Sequence, residues 1–218
     1  MLRFEDVRKN KTINTYITKA DESLSALGFT EHSFAHVTKV ATDAANILET
    51  LGFSEREVEL AKIAGYMHDI GNLVNRVEHS QTGAVMAFKI LTDLGFDADE
   101  VATVTTAIGN HDEGDGIAVN AVAAALIIAD KTDVRCTRVR NCDLATFDIH
   151  DRVNYSVKKS SVRITEDKKL YLMLEIDTKI STVVNYFEIF LDRMILCRKA
   201  CEKLGLEFKL IINEQQLM

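Results

Sequence analysis

Apolar residues recur every three or four positions through the first 135 residues, the spacing that places them on one face of an α-helix. Proline is absent, so glycines and polar caps mark where helices begin and end. Gly28, Gly52 and Gly95 each follow an apolar stripe, and Ser54 with Glu57 has the spacing of a capping box. The predicted helices occupy residues 10–27, 37–51, 54–71, 82–94, 97–108 and 121–135.

The pattern changes to alternation near the end of the chain. From Leu170 to Ile176 every second residue is Leu or Ile, which predicts a half-buried strand, and residues 162–165 just before it predict a hairpin. A helix over residues 181–204 and a strand over 208–212 follow. We therefore expect a mainly α-helical fold with a small C-terminal α+β layer of hairpin, helix and strand. The expected divisions are an N-terminal helix at 1–27, a helical metal-binding domain at 28–140, and a connecting helix or loop with the α+β layer at 141–218.

Charge and hydropathy limit the classes of function. The formal net charge of -7 argues against a protein that wraps duplex nucleic acid, because phosphate neutralisation needs a basic face. The first residues lack the apolar run of a signal peptide, and the apolar run at residues 117–129 is too short to span a bilayer. The sequence thus indicates a cytoplasmic protein with no membrane partner.

The cysteines do not form the closely spaced pairs typical of zinc sites. Two of them, Cys197 and Cys201, lie one helical turn apart and could meet a metal, but free cysteines are among the most buried residue types. We therefore expect buried, unreactive thiols. The four cysteines are Cys136, Cys142, Cys197 and Cys201.

Asp130 is the residue whose position most clearly indicates chemistry. It lies four and three residues after Leu126 and Ile127, which places it on the core face of its predicted helix. A buried carboxylate is costly unless it is protonated, paired or bound to a metal. Pairing with Lys131 or Arg135 on the same helix would satisfy it without any catalytic role, so both explanations stay open.

Several histidines occupy comparable positions. His36 lies near the inner edge of its helix, His111 continues an apolar face, and the His68-Asp69 pair closes a helix. Taken alone, each histidine is more often a hydrogen-bonded core or surface residue than a ligand. Two others are assigned to that ordinary class, His32 and His150. Four separated histidines and two aspartates together favour a transition metal over calcium or magnesium.

The order of these residues resembles that of the HD-domain metal-dependent phosphohydrolases. The similarity covers about residues 28–140 and follows the pattern H…HD…H…H…D. Its segments are His36, YMHDIG at 66–71, HSQTGA at 79–84, AIGNHDEG at 107–114 and LIIADKTD at 126–133. The resemblance implies an HD-type helical bundle. One difference is Asn72, which stands where relatives with HDIGK have a phosphate-contacting lysine.

The resemblance also implies the metal ligands and the reaction. Four residues match the metal site shared by the family: His36, His68, Asp69 and Asp130. His79 and His111 match the two extra histidines of its dinuclear branch. The implied cofactor is two divalent transition metal ions (Fe, Mn, Zn, Co or Ni) bridged by Asp69, which would convert a shared water to hydroxide at neutral pH. The implied catalytic residues are His68, Asp69 and Asp130.

The implied enzyme is a phosphomonoesterase or phosphodiesterase acting on a nucleotide or other small phosphate ester. A mixed-valent di-iron oxygenase of the same fold and a non-catalytic metal-binding regulator stay open as alternatives. Cations near the ligands could orient the phosphate, although a solvated helix end accounts for some of them equally well. These candidates are Arg76, Lys131, Arg135 and Arg138. The C-terminal layer is expected to stabilise, cap or dimerise the protein without supplying metal ligands.

Overall fold

The computed structural model describes residues 2–141 and 143–218. The helices are α1 Phe4–Arg8, α2 Lys11–Ala26, α3 Phe34–Thr50, α4 Glu55–Met67, α5 His79–Leu94, α6 Ala98–Gly109, α7 Ala121–Lys131, α8 Ile149–Ser156 and α9 Val183–Lys203. The strands are β1 Val157–Ile164, β2 Lys169–Ile176, β3 Glu207–Ile212 and β4 Gln215–Gln216. The predicted fold class, mainly α-helical with a small C-terminal sheet, is therefore confirmed.

Polar caps begin the helices where the sequence predicts them. The Asn10 side chain accepts hydrogen bonds from two backbone N–H groups of α2, and Asn120 does the same for one in α7. Ser54 and Glu57 form the predicted capping box at the start of α4. At the C-terminal end of α5, Gly95 adopts φ 86°, a left-handed conformation that glycine reaches without strain.

Two predicted helix ends are wrong, and each error has a local cause. The helix that contains Ser54 ends at Met67, and the chain continues as a 3-10 turn over Ile70–Leu73. Gly71 lies in this turn so close to α5 that a Cβ atom there would collide with the carbonyl oxygen of His79. The last predicted helix ends at Lys131 instead of residue 135. After Thr132 the helical hydrogen bonds stop, because the backbone N–H groups of Asp133 and Val134 donate to the nearer carbonyl oxygens of Asp130 and Thr132.

The apolar helix α7 forms the centre of the helical body. Its residues from Val122 to Ala129 are at most 2% exposed, and it contacts α3, α4, α6 and α9. Four of these residues are alanines, whose small side chains let the surrounding helices approach closely. Asp130 follows directly at the end of this buried run, and its carboxylate lies near His36 of α3 and His68 at the end of α4.

The C-terminal layer is a four-stranded sheet in the order β1-β2-β3-β4 with α9 against it. β2 and β3 are parallel and the other pairs are antiparallel, so α9 serves as the crossover between β2 and β3. The layer packs on the helical body through α9 and α7, and the Ser160 hydroxyl donates to the carbonyl oxygen of Thr132. The short strand β4 was not predicted, and α8 lies in the segment where a connecting helix or loop was expected.

The cysteines and the surface bear on the remaining sequence expectations. Cys197 and Cys201 are buried free thiols, as predicted, and burial raises the pKa of Cys201 to about 12. Cys136 is free but half-buried, and Cys142 lies outside the described residues. In the part of the chain that the structure describes, no helix is long and apolar enough to cross a membrane.

Candidate metal centre

Three buried histidines share one hydrogen-bonding arrangement. Nδ1 of His68 and Nδ1 of His111 lie 2.8 and 2.6 Å from backbone carbonyl oxygens three residues earlier in the chain. Nδ1 of His36 lies 2.8 Å from Oδ2 of Asp133. Because each partner is an oxygen acceptor, Nδ1 donates, and Nε2 of the neutral ring keeps its lone pair. This tautomer leaves Nε2 able to bind a metal.

Four buried atoms at this point have no hydrogen-bond partner within residues 2–141 and 143–218. They are Nε2 of His36, Nε2 of His68, Nε2 of His111 and Oδ2 of Asp69. All four residues are at most 5% exposed. Since buried polar atoms in folded proteins are almost always hydrogen-bonded, these four indicate a ligand that is not a protein group.

The spacing of the donor atoms fits a shared cation. Nε2 of His68 lies 3.1 Å from Oδ2 of Asp69 and 3.6 Å from Oδ1 of Asp130. Nε2 of His36 lies 3.6 and 3.3 Å from the same two oxygens. Two donors that are each about 2.1 Å from one metal ion lie about 3.0 to 3.4 Å apart, depending on the angle. The structure therefore brings four of the six predicted ligands into a group of suitable size.

The two remaining predicted ligands lie beside this group. His111 joins His68 and Asp69 in a second cluster of potential metal donors. Nε2 of His79 is 3.5 Å from Oδ1 of Asp69, but it is also 3.2 Å from Nη1 of Arg76. His79 thus differs from the other three histidines, because an arginine side chain would have to move before its Nε2 could bind a metal.

The electrostatic balance of the group also favours a cation. Burial alone would lower the pKa of His68, but the carboxylates of Asp69 and Asp130 outweigh it and raise the pKa to about 10, so a cation that binds Nε2 must displace a proton from this ring. Burial would raise the pKa of both carboxyls, yet His68 holds that of Asp69, and Lys131 that of Asp130, well below the usual range. Two ionised carboxylates at this depth require nearby positive charge, and a divalent ion can supply it.

The sequence pattern of the HD domain matches residues 33–151, more than half of the chain. The chain belongs to the HD domain family. Proteins with this domain bind divalent metals and are generally metal-dependent hydrolases. The His/Asp clusters described above, which could hold a metal, fall inside the matched residues.

Two individual proteins are similar to this HD-domain chain. An uncharacterized protein of Methanocaldococcus jannaschii, MJ1020, is 25% identical over an alignment of 211 residues. The match covers 85% of this chain and 79% of that protein. A crystal structure described as a predicted HD superfamily hydrolase, from an uncultured Thermotogales bacterium, is 25% identical with a TM-score of 0.46. That similarity covers 57% of this chain and 68% of the other.

Two residues that orient candidate ligands of the HD domain were missed by sequence reasoning. Asp133, whose side chain is 1% exposed, accepts the hydrogen bond from His36, and Asn72 Nδ2 donates to Oδ1 of Asp69 at 2.9 Å. Asn72 thus contacts a candidate ligand at the position where some relatives carry a lysine. The DKTD segment that contains Asp133 offered a signal, because a second aspartate follows Asp130 by three residues.

A cavity of about 330 Å³ opens beside the candidate ligands of the HD domain. Its wall includes Asp69, His79 and Asp130, together with His32, which had been assigned no functional position. Burial holds the pKa of His32 well below its usual range. Residues beyond 140 contribute further wall positions: Asp148, His150, Asp151, Asn154, Phe190 and Arg193. The C-terminal layer, which was expected to stabilise, cap or dimerise the protein, therefore also shapes the cavity through α9.

The four predicted substrate-binding cations occupy different environments. Arg76, Lys131 and Arg138 line the cavity. Arg138 donates to two backbone carbonyl oxygens, and Lys131 lies 2.8 Å from Oδ2 of Asp130 and 3.1 Å from a carboxylate oxygen of Glu113. Arg135 lies beyond the end of α7, where its guanidinium pairs with Asp133. Arg135 therefore contacts Asp133, the residue that orients His36.

Proposed function

We propose that this HD-domain protein is a metal-dependent phosphohydrolase that hydrolyses a nucleotide or another small phosphate ester. One observation carries the proposal. The Nε2 atoms of His36 and His68 each lie 3.1 to 3.6 Å from a carboxylate oxygen of Asp69 and from one of Asp130. Three of these atoms lack a hydrogen-bond partner among the described residues. Cationic side chains in the adjoining cavity suit an anionic substrate.

The proposed ligands divide into two sets. The first ion would be held by His36, His68, Asp69 and Asp130, and the second by Asp69, His79 and His111. Imidazole and carboxylate donors suit Fe, Mn, Zn, Co or Ni. When bound, such ions lower the pKa of water and neutralise charge on a phosphoryl oxygen.

The chain's own residues prepare these donors. Asp133 accepts the Nδ1 proton of His36, so Nε2 of that ring is presented unprotonated. Lys131 lies 2.8 Å from Oδ2 of Asp130 and keeps this carboxyl ionised, while Oδ1 faces His36. Arg76 lines the cavity with its guanidinium carbon 5.8 Å from the centre of the Phe29 ring. Once Nη1 of Arg76 has moved away from Nε2 of His79, the charge of this arginine can orient the ester in the cavity.

Anaerobic metal analysis of the purified chain, followed by a panel of phosphomonoesters and phosphodiesters, tests the proposal. We expect bound transition metal and phosphate ester hydrolysis that is lost with a chelator and restored by the same metal. A fully loaded protein that hydrolyses neither phosphomonoesters nor phosphodiesters contradicts the proposal. Oxygen-dependent turnover would then favour the oxygenase alternative, and no turnover of any kind would favour a regulatory metal-binding protein.

A further inference from the structure

Arg193 lies on α9, outside the residues that match the HD domain, yet its side chain lines the cavity beside the candidate ligands. Nε of Arg193 is 2.5 Å from Oε1 of Glu113, and the guanidinium carbon is 4.4 Å from the centre of the Phe190 ring. These contacts hold the guanidinium in place. They leave Nη1 and Nη2 without a hydrogen-bonding protein acceptor among the residues described.

A chain of ion pairs connects Arg193 to a candidate metal ligand. Glu113 contacts Arg193 through one carboxylate oxygen and Lys131 through the other, at 3.1 Å. Lys131 in turn lies 2.8 Å from Oδ2 of Asp130. Three ion pairs thus link Asp130 to a guanidinium of the C-terminal layer, and Lys131 and Arg193 both line the cavity.

The cations of the cavity differ in how much of their charge is already balanced. Lys131 is 4% exposed and faces three carboxylates, those of Asp130, Glu113 and, at 3.5 Å, Asp112. Its charge is therefore largely neutralised within the protein. Arg193 is paired with a single carboxylate and retains two donor nitrogens, so it is the better suited of the two to bind an added anion.

We infer that Arg193 binds a phosphate group of the substrate and so makes the C-terminal layer part of the substrate site. A guanidinium suits this task because its planar donors match two phosphate oxygens at once. Stacking on Phe190 and pairing with Glu113 pre-orient these donors, which reduces the entropy lost on binding. The identity of the anion as a phosphate ester rests on the proposed function; the anion site itself rests on the contacts of Arg193.

A purely structural role makes different predictions. If Arg193 serves only to tie α9 to Glu113, its replacement lowers the thermal midpoint but leaves phosphate affinity and KM unchanged. If it binds phosphate, both change even after variants are compared at equal folded fraction. Arg198 provides a matched control, because it is an exposed arginine on the same helix.

The test is calorimetric titration of the full chain with inorganic phosphate at low ionic strength, with metal content measured and matched. Arg193→Gln should weaken phosphate binding about ten- to a hundredfold, the usual effect of losing a charged hydrogen-bond donor. KM for a hydrolysed ester should rise by a similar factor, with a smaller change in kcat. Arg193→Lys should recover part of the affinity, and Arg198→Gln should behave as wild type.

Unchanged phosphate affinity in a folded Arg193→Gln protein overturns the inference, as does a wild type that binds no phosphate. If Arg193→Gln alone does not fold, Glu113→Gln combined with Arg193→Gln removes both charges of the pair, and the same titration decides. Phosphate binding that depends on Arg193 in a protein without hydrolase activity supports the anion site and contradicts the proposed function. Hydrolysis with a KM that does not depend on Arg193 supports the proposed function and contradicts the anion site.

Discussion

The helical body and the C-terminal layer differ in whether their polar side chains find partners within the protein. In the body, His36, His68 and Asp69 carry buried atoms that no described protein group partners. In the described part of the layer, Ser181 Oγ is the one such atom, and the exposed side chain of Asn213 accepts a hydrogen bond from the backbone N–H of Ile176 and donates one to its carbonyl oxygen. The polar core of the body is thus arranged to meet a ligand, whereas this contact of the layer completes the fold.

This difference has an energetic meaning. A buried polar atom without a partner costs about 1–3 kcal/mol, so the body gives up stability that a bound cation could restore. A paired group in the layer contributes stability whether or not a ligand is present. Variants of the two regions should therefore separate metal binding from folding.

The largest effect is expected for Asp69→Asn. Activity should fall by more than about a hundredfold, since even the outer partners of metal ligands cost 10- to 100-fold when removed. Metal content should decrease, while circular dichroism should show the fold retained, because the two side chains have nearly the same shape. Asp99→Asn, at an exposed position, is the control. Full activity in rigorously pure Asp69→Asn would place the chemistry elsewhere.

In the layer, Leu172→Ala should lower stability without changing metal content, the reverse of the effect expected for Asp69→Asn. Leu172 is 0% exposed, so its truncation should lower the free energy of unfolding by about 2–5 kcal/mol. Metal content per folded chain should not change. Denaturant titration with elemental analysis of the folded fraction measures both. Val184→Ala, at a residue that is 74% exposed, should change stability by less than about 0.5 kcal/mol. Selective metal loss in Leu172→Ala would contradict this separation of the regions.

Asp133→Asn tests a residue of the body that contacts a candidate ligand without being one itself. Loss of the charge that accepts the Nδ1 proton of His36 should weaken metal binding about 10- to 100-fold. Competition with a chelator of known affinity gives this ratio directly. Asp143→Asn is a suitable control, because Asp143 is an exposed aspartate that caps a short turn. A dissociation constant equal to that of wild type would show that Asp133 has no orienting role.

The smallest effect is expected for Asn213→Gly. Asn213 has φ 48°, which glycine adopts without strain, so the substitution isolates the two side-chain hydrogen bonds to Ile176. The free energy of unfolding should decrease by about 1–2 kcal/mol, with metal affinity unchanged. Differential scanning calorimetry and a metal titration measure the two quantities. A change in metal affinity without a change in stability would show that Asn213 serves the metal site instead of the fold.

Much of the body was predictable because its signals are local. Helical spacing and polar caps located α2 to α7, and the same spacing placed Asp130 next to the buried face of α7. The errors arose where local spacing carries no information. Residues 132–135 continue an acceptable helical pattern, but the structure turns the chain after Lys131 and directs Asp133 to His36.

The sequence by itself determined which faces of the helices are apolar and the order H…HD…H…H…D, since both are properties of neighbouring residues. Tertiary structure alone decided which donors meet. Asp133 contacts His36 across 97 positions of the chain, and α9 brings Arg193 to Glu113 from outside the HD domain match. Periodicity reports the face on which a side chain lies, whereas a hydrogen bond or ion pair requires two faces to be packed together at a distance of about 3 Å.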